Sequence, residues 1–193
     1  VPFCIDSNFW KEDKNINRNN ILFIGNDGRR EYDFALSLAS NMPQFEFIFV
    51  TSNINKKDIN SQNITLIEGQ WNKKILSDEE VKNIYNSSLL TIIPIKDSYQ
   101  PSGQSVALQS MSMGVPVLIT ETIGFWDKDI FKNNENIFFI EKNDVKKWTD
   151  KVNQIIENDQ LTNQVISNSK DLIGQNYNTK FFYDNLKEIV FKN

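Results

Sequence analysis

Six short apolar runs, separated by breaks and by stretches of helical periodicity, restrict what this chain can fold into more than any other feature. The runs are Asn20–Gly25, Phe45–Val50, Ile64–Ile67, Leu89–Ile93, Val115–Thr120 and Ile137–Ile140. None shows the strict alternation of a sheet with one wet face, so each reads as a strand buried on both faces. Between them lie helical patterns: Arg30–Met42, closed by Pro43; a segment carrying Val81, Ile84 and Tyr85; and Gln104–Met113, closed by Gly114. Ser77 followed by Glu80 is a capping box at the start of the second. Three more helices are expected over Val145–Glu157, Asp159–Ile173 and Thr179–Phe191. Strands alternating with helices predict a parallel sheet of about six strands in a three-layer α/β/α domain, with a helical C-terminal segment. Residues 1–19 read as an irregular, mostly polar lead-in and residues 20–193 as the domain, with no internal repeat and no linker between them.

Composition removes several classes of chemistry. The chain has no histidine and one cysteine, Cys4, so a Ser–His or Cys–His nucleophile and an N/S metal cluster are both impossible. A general base would have to be Asp, Glu, Lys or Tyr. The net charge of -4 argues against a nucleic-acid partner. No run approaches the roughly 20 apolar residues of a membrane-spanning helix, and no signal peptide is visible; with a single cysteine, the expected compartment is the cytoplasm.

In such sheets ligands bind beyond the carboxyl ends of the strands, which points to three loops: Gly25–Arg30, Lys96–Gln104 and Thr120–Asp127. The first holds Gly25, Asn26, Asp27, Gly28, Arg29 and Arg30; glycine lets backbone approach a ligand, and arginine offers a planar fork for phosphate. Taken alone, the same loop reads more simply as a solvated turn with two surface arginines. The second places Ser102, Gly103, Gln104 and Ser105 at a helix N-terminus, where free N–H groups and the helix dipole attract an anion. Its bland counterpart is an ordinary helix start with Ser102 as the N-cap. Glu121, Asp127 and Asp97 read as solvated loop residues rather than catalysts, and Trp71 and Trp126 as packing aromatics.

Taken in order, several segments resemble the C-terminal, donor-binding domain of GT-B retaining glycosyltransferases, the large family 4-like group that includes sucrose synthases and many bacterial polysaccharide enzymes. The segment Val1-Pro2-Phe3-Cys4-Ile5-Asp6 through Phe9 is similar to the family's entry into this domain. Phe23-Ile24-Gly25 with Arg29-Arg30-Glu31-Tyr32 resembles its basic loop facing the donor diphosphate. The stretch from Ser102 to Val117 resembles its most specific motif, and Glu121–Gly124, Asn134–Ile137 and Asp144-Val145 match the regions that follow. The fold implied is Rossmann-like.

The resemblance implies transfer of a hexosyl group from a UDP- or GDP-sugar, with retention, to a glycan, lipid or polysaccharide acceptor, in cell-envelope polysaccharide synthesis. It implies a catalytic Arg30 and donor contacts at Gly25, Asn26, Arg29, Arg30, Ser102, Gly103, Gln104, Ser105 and Gln109, with no metal or other cofactor. The acceptor would belong to an N-terminal GT-B domain outside this chain, through which the enzyme could dock at the inner face of the membrane. One departure is marked. The family has two glutamates separated by seven residues; the second position holds Gln109, and the first holds Pro101 by straight counting or Gln100 with a one-residue shift. Gln109 keeps an amide oxygen for the ribose hydroxyls; Pro101 offers the donor sugar nothing equivalent. A degenerate, non-catalytic domain with a scaffolding role is the alternative. A dinucleotide binder is disfavoured, because Gly25 and Gly28 do not have G-x-G-x-x-G spacing.

Overall fold

The computed structural model describes residues 3–13, 17–69 and 76–191; Trp71, Val1 and Pro2, singled out above, lie outside them. All six expected strands form: β1 (Asn20–Ile24), β2 (Glu46–Val50), β3 (Ile64–Ile67), β4 (Ser88–Ile93), β5 (Val117–Thr120) and β6 (Phe138–Ile140). They pair in parallel, in the order β3-β2-β1-β4-β5-β6. The helices are α1 (Tyr32–Ser40), α2 (Asp78–Asn86), α3 (Gln104–Ser112), α4 (Val145–Glu157), α5 (Asp159–Asn176) and α6 (Thr179–Phe191). The chain therefore adopts the expected Rossmann-like α/β fold. No helix among the described residues is long and apolar enough to cross a membrane.

Side chains leave successive strand residues on opposite faces, and each face has its own core. Ile21, Phe23, Leu90, Ile92 and Leu118 meet Leu38 of α1 and Trp148 and Val152 of α4. Leu22, Ile93, Val117 and Ile119 meet Tyr85 of α2, Leu108 and Met111 of α3, and Ile173 of α5. Each large apolar side chain buried this way contributes about 1.5–3 kcal/mol, which is why these strands carry apolar residues at both parities. The capping box forms as expected: Glu80 N–H donates to Ser77 Oγ at 3.2 Å, and Ser77 N–H to Glu80 Oε2 at 2.7 Å.

Two elements start two residues later than expected. The first helix starts at Tyr32 rather than Arg30 because Arg29 to Glu31 pair with the chain leaving β4: Glu31 N–H donates to Pro94 O and Lys96 N–H to Arg29 O. β5 starts at Val117 rather than Val115 because Val115 N–H donates to Ser110 O, closing the end of α3, and Pro116 has no N–H to give.

The C-terminal end of α3 is held by several contacts. Ser110 Oγ donates to Thr91 Oγ1 of β4 at 2.8 Å or to Val115 O at 3.1 Å, seating the helix on the sheet. Gly114 takes the left-handed conformation that ends many helices, with φ 65°. Arg18 donates to the carbonyls of Gly114 and, at 2.8 Å, of Met113, placing a cation at the negative end of the helix dipole. The lead-in, irregular over its described residues, is thus packed onto the domain: Ser112 Oγ donates to Trp10 O, Trp10 is buried against Tyr85, and Ile5 bridges Asn178. Replacing Arg18 with Ala is expected to lower stability by about 1–2 kcal/mol in urea titration.

Candidate functional site

The strand order reverses between β1 and β4, so the loops leaving these two strands part there and open a crevice at the carboxyl edge of the sheet. The loop after β1 runs from Gly25 to Glu31, and the loop after β4 from Pro94 to Gly103. A pocket of about 230 Å³ lies between them, lined by Phe3, Asp27, Arg29, Pro101, Ser102, Gly103, Gln104 and Ser105.

The wall from Ser102 to Ser105 is the start of α3. Gly103, not Ser102, is the N-cap: it adopts a left-handed φ of 84° and leaves the helix end without a side-chain cap. A side chain could not take its place, since a Cβ there would lie 2.9 Å from Ile93 and 3.2 Å from Arg30 Nη1. The first-turn N–H groups have no intrahelical partners and face the pocket, where they and the dipole favour an anion. Ser102, the expected cap, instead turns its hydroxyl to the other loop. Its Oγ accepts from Arg30 Nη1 at 2.9 Å and lies 3.1 Å from Asp27 Oδ1, to which it donates.

The two arginines separate. Arg29 lines the pocket, while Arg30 is only 2% exposed and lies behind it. The Arg30 guanidinium fills a slot between two glycines; a Cβ on Gly25 would come within 2.6 Å of its Nε. Its charged partner is Asp27, with Oδ2 3.4 Å from Nη1, and among the described residues its Nε has no partner. Burial pulls this guanidinium below its ordinary pKa, and the Asp27 charge works in the opposite direction.

The remaining candidates stand apart from the pocket wall. Asn26 ties the loop to the end of β2: its Oδ1 accepts from Ser52 N–H at 2.7 Å and Thr51 Oγ1 at 2.9 Å, and its amide nitrogen donates to Gly69 O. Gly25 makes room for Arg30 rather than for a ligand. Gln109 points its Oε1 at the Tyr85 hydroxyl, 3.3 Å away, whose pKa burial raises so that it stays a donor. The third loop reaches the site indirectly, through Gly124 N–H donating to Ser98 O at 2.8 Å. Asp97, Glu121 and Asp127 are exposed, and Trp126 is buried, stacked on Phe125. Three lining residues, Phe3, Asp27 and Pro101, were not among the expected donor contacts; a carboxylate beside two arginines in a glycine-containing loop was the available signal for Asp27.

A doubly wound α/β domain with an uncapped helix end and an arginine at its switch point is built to hold an anionic ligand. Comparison with known proteins narrows this class. The profile of the family described as Glycosyl transferases group 1 matches residues 6–172, so the chain belongs to that family. Among solved structures, it resembles the C-terminal domain of LpcC, a glycosyl transferase group 1 family protein from Francisella tularensis. That match has a TM-score of 0.69 at 16% identity and covers 91% of this chain and 99% of the other. Sucrose-phosphate synthase from Thermosynechococcus elongatus aligns with a TM-score of 0.81 at 12% identity, over 100% of this chain and 51% of its own. Anabaena HepE, solved in complex with UDP-glucose, aligns with a TM-score of 0.77 at 13% identity, over 98% of this chain and 56% of its own. The chain thus spans about half the length of the latter two. Comparison with curated proteins by sequence finds no match.

The two glycines make a prediction. Gly25→Ala forces a Cβ against the buried guanidinium and is expected to cost about 2 kcal/mol or more. Gly28→Ala, where nothing lies within 4 Å of the new carbon, is expected to stay within about 0.5 kcal/mol. Paired thermal melts of the two variants check this.

Proposed function

We propose that this chain is the donor-binding half of a glycosyltransferase that moves a hexosyl group from a nucleotide-diphosphate sugar to a glycan, lipid or polysaccharide acceptor, with retention. The observation that carries the reading is the pocket between the two loops, where the uncapped start of α3 faces Arg29. As the bond from sugar to phosphate breaks, charge grows on the departing diphosphate. Donors already fixed around that charge lower the barrier without reorganising. The N–H groups at Gly103, Gln104 and Ser105 would supply the dipole end, and Arg29 a direct cationic contact. Arg30, behind the wall, would act through the field and through Ser102 rather than by touching phosphate. With a helix end and two guanidinium groups serving the diphosphate, a metal is not required for this step. Gln109 would offer the ribose its free amide N–H or the second lone pair of its oxygen.

Membership in the family and the UDP and UDP-glucose held by the HepE structures support a nucleotide-sugar ligand. The acceptor and its contacts would belong to an N-terminal domain, with the whole enzyme in the cytoplasm, docked at the inner face of the membrane and working on envelope polysaccharide. A second reading is a domain that has kept the fold for scaffolding or regulation; Pro101 and Gln109 at the two glutamate positions favour it.

Titration with UDP, GDP and their sugars separates the two. Saturable binding that weakens about tenfold or more in Arg29→Ala supports the donor site, as expected for loss of one charge-assisted contact to phosphate. Absence of binding to any of these ligands supports the scaffold. Sugar transfer by the 193-residue chain alone would contradict the half-site reading.

A further inference from the structure

One group in the pocket wall does not suit a site for a bare diphosphate. Asp27 lines the pocket, and its side chain is 37% exposed, although its salt-bridge partner Arg30 is only 2% exposed. Its Oδ1 is occupied, accepting from Ser102 Oγ at 3.1 Å and from the Arg29 N–H at 3.0 Å. Its Oδ2 faces Arg30 Nη1 at 3.4 Å, beyond good hydrogen-bond length, and retains lone pairs. An aspartate serving only as counter-ion to a buried guanidinium would gain by being buried with it. Next to bound phosphate a carboxylate is repulsive, and an asparagine could accept the same two hydrogen bonds without that cost. A half-open carboxylate is suited to a neutral ligand group that donates protons, and sugar hydroxyls are such groups.

We propose that Asp27 is a specificity-determining residue whose carboxylate accepts hydrogen bonds from hydroxyl groups of the donor's sugar. The inference rests on the donor-site reading above and adds to it. One carboxylate then acts in two directions. It attracts the sugar of the intact donor, and it repels the extra negative charge that appears on the terminal phosphate once the sugar has left. The pocket favours the loaded donor over the spent nucleotide.

Calorimetric titration of the 193-residue chain with UDP, UDP-glucose, GDP and GDP-mannose tests this on the wild type and on Asp27→Asn. For the nucleotide that binds, the substitution is expected to weaken the sugar-bearing ligand about tenfold and to leave the bare diphosphate as tight or tighter. Equal weakening of both would reduce Asp27 to a structural partner of Arg30 and overturn the proposal, and so would no change in either. A wild type that binds none of the four ligands overturns the donor-site reading itself, a result distinct from both. Should Asp27→Asn fail to fold, the wild type is titrated with UDP-glucose or GDP-mannose analogues deoxygenated at single ring positions. At least one is expected to lose about tenfold in affinity, and a series without loss overturns the proposal.

Discussion

The buried guanidinium of Arg30 is the interaction on which the site depends. Taking a cation out of water costs several kcal/mol unless its partners replace the lost solvation. Here the partners come from two loops far apart in sequence: Asp27 from its own loop, and Ser102 from the loop after β4. The slot exists only because Gly25 and Gly103 lack side chains, one on each loop. Satisfying one buried charge therefore brings the two loops to a fixed separation at the switch point of the sheet. Backbone pairing of Arg29 and Glu31 with the chain at Pro94 and Lys96 reinforces the same register.

That separation sets the position of the start of α3, and the rest of the molecule sets its end. Thr91 and Ser110 fix the last turn of the helix on β4. Arg18 and the Trp10 carbonyl fix its far end. A nine-residue helix fixed at its start by the two loops and at its last turn by β4 and the lead-in cannot easily tilt or slide, so the N–H groups at its start keep their aim. Preorganisation of this kind is what electrostatic stabilisation of a developing charge requires. The irregular lead-in thereby bears on the geometry of a pocket at the opposite end of the helix.

Much of the fold was legible because its causes are local. Apolar runs such as Ile21–Phe23 and Leu89–Ile93, the Ser77–Glu80 box and Gly114 each signal their own structure within a few residues. The place of the pocket between the two loops was legible too, since strand ends and glycines mark those loops. What did not show was which side of the wall each residue takes. Arg29 and Arg30 are neighbours with one chemistry, and only the slot between Gly25 and the distant Gly103 decides that Arg30 goes inward. Ser102 has the chemistry of an N-cap, yet Arg30 and Asp27 claim its hydroxyl and Gly103 takes the cap. Gln109 sits at a helix position that implies a ligand contact, but its oxygen faces Tyr85, which arrives from another helix. In each case at least one deciding partner lies tens of residues away.

The size of the pocket bears on the proposed function. Ligand sites usually enclose about 300–1,000 Å³, and 230 Å³ falls below that range. The space between the two loops suits a diphosphate and part of a sugar ring, not a whole nucleotide sugar. On the donor-site reading, the base and ribose run along the carboxyl edge of the sheet toward Gln109, and the far face of the sugar is open. An open face beside a glycosidic bond would admit water, which competes with any acceptor. On that reading, transfer rather than hydrolysis needs a second wall to close over the sugar. On the same reading, Asp27 lies at the boundary where the anion-binding part of the pocket ends and the part that would recognise a neutral sugar begins.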